Sequence, residues 1–185
     1  MIRKIIISCI AATSLILFST QAFALINISV GVPLSHTFTG KYNGGDEVKS
    51  DGVSGTFVQI GIPILPGIGM DSYKTKLKVD GATEQHEVET SIYNLYYLLP
   101  IPVINITLGA GVGSTEIKFS GSEKYFDKGP ASQVYASLGF PIIPLFDLHL
   151  SYRSVSSKVK IKDSAGGGEH DFGGNVMGLG IGFNF

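Results

Sequence analysis

Asp, Glu, Lys and Arg are missing from five long stretches of this 185-residue chain: 25–40, 52–70, 90–115, 129–146 and 172–185. Nearly all charge sits between them. The longest stretch, 90–115, exceeds the roughly 18 residues at which a membrane helix becomes conceivable, but Pro100 and Pro102 stand at its centre. Proline interrupts a helix, and the flanking Tyr, Ile, Val, Thr and Gly favour strands or turns. Two strands joined by a proline turn account for the stretch. The same design recurs at Pro63 and Pro66 and at Pro141 and Pro144. Proline cannot donate to a sheet ladder and so belongs at strand ends and tight turns.

Three short uncharged turns then alternate with four long, charged, Gly/Asp/Lys-rich loops at 40–52, 80–87, 119–130 and 163–171. The chain is expected to form eight strands: 25–39, 53–63, 68–79, 88–99, 103–118, 131–141, 145–162 and 172–185. Side chains alternate faces along a strand. In the first, Ile26, Ile28, Val30 and Val32 oppose Asn27, Ser29 and Gly31. In the fifth, Ile104, Ile106, Leu108, Ala110 and Val112 oppose Asn105, Thr107, Gly109, Gly111 and Gly113; in the sixth, Val134, Ala136, Leu138 and Phe140 oppose Gln133, Tyr135, Ser137 and Gly139. The last sets Met177, Leu179, Ile181, Phe183 and Phe185 against Gly178, Gly180, Gly182 and Asn184. The fourth strand is apolar on both parities, and alternation leaves its facing open.

A soluble β-sandwich or lipocalin-like barrel also alternates, but it carries charge along its outer face. Here the non-apolar face of the charge-free stretches is Gly, Ser, Asn and Thr. That pattern fits an apolar band of roughly 25 Å against lipid, with small polar residues filling a narrow interior. In hydrocarbon, a closed ring of strands leaves no backbone group unpaired. The expected fold is all-β: an eight-stranded antiparallel up-and-down transmembrane β-barrel occupying residues 25–185.

The amino terminus is consistent with export. Arg3 and Lys4 precede an apolar run at 5–18, and Ala22-Phe23-Ala24 offers the small residues of a signal-peptidase site, so cleavage is expected after Ala24. Cys9, the single cysteine, would leave with the signal, which excludes a disulfide framework or thiolate metal site from the mature chain. With 12 basic against 15 acidic residues, the mature chain has a formal charge of −3 and no global electrostatic reason to bind nucleic acid.

On the signal, the strand count, the turn and loop asymmetry and the closing Gly-Leu-Gly-Ile-Gly-Phe-Asn-Phe, the chain resembles the small eight-stranded outer-membrane β-barrels of the OmpA/OmpX type. That resemblance implies a monomer in a bacterial outer membrane, with long loops outside and both chain ends in the periplasm. It also implies that Phe183 and Phe185 form a signal to the barrel-assembly machinery. The periplasmic domain of some relatives is missing, so cell-wall anchoring is not implied. Trp is absent, leaving Phe140, Phe146, Phe183 and Phe185 for the periplasmic aromatic girdle and Phe38, Phe57, Tyr73 and Tyr152 for the outer one.

Candidate functional residues follow from parity. Asp71, Asp147, His149 and Arg153 are expected inside, where buried ions must find partners: Arg153 a carboxylate, and His149 a hydrogen bond. They form either a polar plug or a proton path through a narrow pore. His149-Leu150-Ser151 is similar to the His-x-Ser pair of outer-membrane lipid A deacylases, and a Ser-His pair with an acid could hydrolyse an ester. The Tyr-Arg-Ser that follows departs from that family, and the pair lies near the periplasmic turn, away from outer-leaflet lipid A. No catalytic residue is therefore assigned. Lys74, Lys76 and Lys78, with Lys158, Lys160 and Lys162, repeat at period two on the outward parity. They either contact lipopolysaccharide phosphates or pair with Glu87, Glu89, Glu169 and Asp171. Asp46, Glu47 and Asp51 lack EF-hand spacing, and His36, His86 and His170 are scattered, so no metal or cofactor is expected. Gly166, Gly167 and Gly168 follow no phosphate-loop pattern. The function indicated is a structural or surface-binding outer-membrane barrel, against a lipid-modifying enzyme or a narrow pore for small solutes.

Overall fold

The computed structural model describes residues 26–42, 44–78, 86–101, 104–119, 121–143 and 145–185. The export signal with its cleavage site, most of the second long loop, and Pro102, Val103 and Pro144 lie outside the described residues.

The strands are β1 (Asn27–Phe38), β2 (Ser50–Gly61), β3 (Pro66–Leu77), β4 (Glu87–Ile101), β5 (Ile104–Lys118), β6 (Gly129–Ile143), β7 (Phe146–Lys160), a short β8 (Glu169–Asp171) and β9 (Gly174–Asn184). Each of β1 to β7 pairs antiparallel with the next, and β9 bridges β7 to β1, closing an eight-stranded up-and-down barrel. Closure brings the two ends of the sheet together, with Ile26 and Phe185 exchanging backbone hydrogen bonds of 3.1 and 2.9 Å. The ends share the barrel mouth that carries the three short turns. β8, which alternation did not reveal, pairs with the far end of β7 through Lys158↔Asp171 and Lys160↔Glu169 and folds the fourth loop over the opposite mouth.

Near the turns, apolar side chains face out. Val30, Val32, Val58, Ile60, Leu108, Val112, Val134, Leu138, Leu179 and Ile181 are exposed, while Asn27, Ser29, Gln59, Asn94, Thr107, Gln133 and Ser137 are buried inside. β4 also resolves: Tyr93, Leu95, Tyr97 and Leu99 face out, and Val88, Thr90, Ile92, Asn94, Tyr96 and Leu98 face in. A β-bulge between Pro33 and Ser35 shifts the register of β1, so that His36 and Phe38 point inward although Val30 and Val32 point out.

The outer aromatic girdle needs correction. Phe38, Phe57 and Tyr73 are buried inside the barrel, and only Tyr152 of that set faces out. Tyr73 shares its parity with Asp71, Phe57 with Gln59, and the bulge turns Phe38 inward. On the turn side, Phe140, Phe146 and Phe185 face out, and Phe183 is half-buried with its ring 4.9 Å from that of Phe146.

The expectation of a uniformly polar lumen also fails at the loop end. There Phe38, Val48, Leu77, Val88, Ile117, Val159 and Phe172 form an apolar core, with Tyr42, Phe119 and Phe126 packed against it. Beyond the lipid band the outer face meets water, so the alternation inverts to charge outside and apolar inside. Lys76-Leu77-Lys78, Glu87-Val88-Glu89, Glu116-Ile117-Lys118 and Lys158-Val159-Lys160 write this inversion in the sequence.

Candidate functional site: the polar interior and the loop-end surface

The four inward ionisable residues lie in two separate clusters. In the first, the Arg153 guanidinium of β7 crosses the lumen to Asp71 of β3, its Nε donating to Oδ2 at 2.9 Å and its Nη2 to Oδ1 at 3.5 Å. Both side chains are almost fully buried. Gln133 donates to Asp71 and to Asn94 Oδ1, and Arg153 also donates to the Ser151 hydroxyl. The guanidinium carbon stands 3.6 Å from the Phe57 ring centroid, so the cation is covered by an aromatic face as well as by a carboxylate.

Nearer the turns, Asp147 gathers the second cluster. Asn105 and Asn184 donate to its Oδ2 at 3.2 and 3.0 Å, and His149 Nδ1 lies 3.0 Å from Oδ1. Asn27 donates to Asn184 at 2.8 Å, extending the chain across the seam where β1 meets β9. Between the clusters, Ser29, Gln59 and Tyr135 form a hydrogen-bonded rung at 3.1 and 2.6 Å. These polar partners were not singled out from the sequence; their shared inward parity was the available signal. The glycines of β9 make room for the bulkier groups. A Cβ on Gly182 would stand 2.5 Å from the Asp147 carboxylate, and one on Gly180 would meet the His149 ring.

The geometry does not assemble a hydrolase. The Ser151 hydroxyl donates to the Gly178 carbonyl at 3.3 Å and accepts from Arg153, while His149 is engaged with Asp147 instead. Both residues face the lumen, away from the lipid side.

At the loop end the lysine rows project outward, as parity requires. Lys74 is ion-paired with Glu89, Lys158 lies 3.7 Å from Glu169, and Lys162 reaches Asp127 at 3.6 Å and the Glu123 carbonyl at 2.6 Å. Among the described residues, Lys76, Lys78 and Lys160 have no carboxylate within 4.0 Å. His36 is inside, its Nδ1 2.7 Å from the Thr75 hydroxyl. His86 stacks on Phe119, and His170 sits among Tyr42, Phe126 and Phe172, with ring centroids 4.6 to 6.0 Å apart.

No family model and no curated protein matches the sequence, but solved structures match the architecture. Neisserial surface protein A is 13% identical, with a TM-score of 0.50 over 86% of this chain and 97% of that one. The outer membrane protein W of E. coli is 10% identical, with a TM-score of 0.57 over 88% and 98%. The chain has the fold of the small outer-membrane β-barrels. At these identities the likeness extends to architecture alone, and the exposed apolar belt is the physical counterpart of that fold in this sequence: its side chains face the lipid while each strand of the eight-stranded ring is paired on both sides.

Proposed function

We propose that the protein is an integral outer-membrane barrel closed to solutes, with its loop end outside the cell as a structural or surface-binding element and both chain ends in the periplasm. The observation that carries this reading is the filled lumen. Among the described residues, two internal cavities beside Ser29, Gln59, His149 and Ser137 measure about 10 and 20 Å³, space for roughly one water molecule each. The Asp71–Arg153 pair and the aromatic loop-end core stand in series above and around them. Purified protein in planar bilayers should give no unitary conductance; discrete, reproducible current steps would reject the closed barrel in favour of the narrow pore.

The outward lysines favour a second, compatible role. Lys76, Lys78 and Lys160 lie beyond the apolar belt on the face that meets lipid headgroups, where ammonium groups suit lipopolysaccharide phosphates. Changing Lys74, Lys76, Lys78, Lys158, Lys160 and Lys162 to Gln should reduce lipopolysaccharide co-purifying with the barrel, and unchanged retention argues for cross-strand pairing alone. Phe185, outward on the closing strand, is suited to present the terminal aromatic to the barrel-assembly machinery. Replacing Phe183 and Phe185 by Ala should slow membrane insertion in cells while leaving refolding of the purified chain into detergent intact.

A further inference from the structure

The lipid belt has a sharp upper edge and no lower one. Its upper edge is a row of outward hydroxyls, Thr56, Ser72, Ser91 and Ser114, which sit opposite one another on β2 to β5, with Ser132 and Ser154 continuing on β6 and β7. Lysine and glutamate begin one outward position above, at Lys74, Glu89 and Glu116. Below the row, down to the turns, no outward residue among those described carries charge: Asp71, Asp147, His149 and Arg153 all face the lumen. The turns are apolar too. Ile64 is 64% exposed, Ile142 66% and Leu145 51%, and the sequence between and around them is Pro, Ile, Leu and Val. Among the described residues, no outward charged side chain marks this end of the belt.

Height decides what covers these tips. At about 3.3 Å per residue and a tilt near 40°, the path from Thr56 to Ile64 rises about 20 Å, and those from Ser91 to Ile101 and Ser132 to Ile142 about 25 Å. A lipid-facing band is about 25 Å tall. The belt reaches that height only if the turns are inside it. The backbone at the tips agrees. In the turn closed by the 3.0 Å Leu65 N–H to Ile62 C=O bond, Ile64 holds φ at 72°, and Leu145 holds 82° in its own turn. Glycine adopts this left-handed region freely, whereas a β-branched side chain there costs energy. Apolar side chains thus occupy positions where glycine would fold more easily.

We infer that the described residues at the turn ends of the strands, 62–65, Ile101, Ile142, Ile143 and Leu145, lie immersed in the acyl region of the leaflet on the turn side and are not presented to the aqueous periplasm. The partner of this surface is phospholipid acyl chain, because the tips continue the lipid belt without a polar rim such as a protein-docking surface carries. The inference rests on the membrane-barrel reading and adds a depth to it.

Nitroxide labels test both separately. With Cys9→Ser wherever the leader is retained, single variants Ile64→Cys, Ile142→Cys, Val112→Cys and Gly44→Cys are labelled and refolded into phosphatidylethanolamine/phosphatidylglycerol vesicles. Folding is checked by heat-dependent gel mobility. Val112, 70% exposed on the outward apolar parity of β5, is the lipid standard, and Gly44, with open space around it in the first loop, is the water standard. Accessibility to oxygen relative to a water-soluble nickel chelate should shift at 64 and 142 to the value at 112. Water-like values at 64 and 142 beside a lipid-like 112 overturn the inference and leave the tips to a periplasmic protein. Water-like values at 112 as well overturn the membrane barrel itself, and the inference with it.

Discussion

Arg153 and Asp71 meet across the lumen from strands 82 residues apart in sequence, and their energetics follow from burial. Removing one partner of a buried pair strands the other charge, a loss of about 3–5 kcal/mol, whereas replacing both with apolar groups is often close to neutral. Arg153→Met is therefore expected to lower the unfolding free energy by about that amount, and Asp71→Leu added to it should restore much of the loss; denaturant titration of vesicle-embedded protein reads both. If the double variant is as unstable as the single, the pair is not the interaction at stake. Gly180 makes a different kind of contribution, as absence of volume. A Cβ there would press on the His149 ring and stand 2.8 Å from the Val30 carbonyl. Gly180→Ala should cost about 1–3 kcal/mol, as overpacking commonly does, and Gly180→Ala with His149→Ala should cost less than the sum of the two.

At the scale of the strand, one element serves two solvents. β7 begins with Phe146, Leu148, Leu150 and Tyr152 outward against lipid and ends with Lys158 and Lys160 outward against water, while its inward side passes from Asp147, His149 and Arg153 to Val155 and Val159. The position of the switch is testable by substitution depth. Leu108→Arg, at mid-belt on β5, should destabilise the inserted barrel by about 2–4 kcal/mol, while Ser156→Arg, outward above the hydroxyl row, should cost close to nothing. Equal costs would place the belt edge elsewhere. The loop-end core, built from the inward residues of that upper half, predicts a pH response through His170. Burial lowers its pKa from 6.5. The unfolded loop therefore takes up the proton first: the stabilisation is complete above about pH 6.5 and declines as pH falls through that value toward the lowered folded pKa. Amide protection factors in 169–172, taken against the intrinsic exchange rate at each pH, should fall between neutral and mildly acidic pH, and His170→Phe should flatten the response.

Across the whole molecule, the strand count, the short-turn and long-loop asymmetry and the outward facing of Val30, Leu108 and Leu138 were legible in the sequence, because charge is excluded from lipid and the paired prolines gather at the turn ends of the strands, with Pro66, Pro100 and Pro141 at or near a strand terminus. Asp71, Asp147, His149 and Arg153 were placed inside by parity alone, and Arg153 and His149 do have the partners that burial demands. What parity could not supply was register. Whether Asp71 faces Arg153 or His149 depends on how far each strand is offset from its neighbours around the closed ring, and that offset is fixed only when β9 meets β1. The β1 bulge that turns Phe38 inward, and the loop that lays Phe172 over Leu77 and Val159, are likewise products of closure. The sequence by itself determined which side chains can tolerate hydrocarbon, since transfer out of water is a property of each residue. Only the tertiary structure decided which polar groups share the lumen, because a hydrogen bond depends on two positions at once.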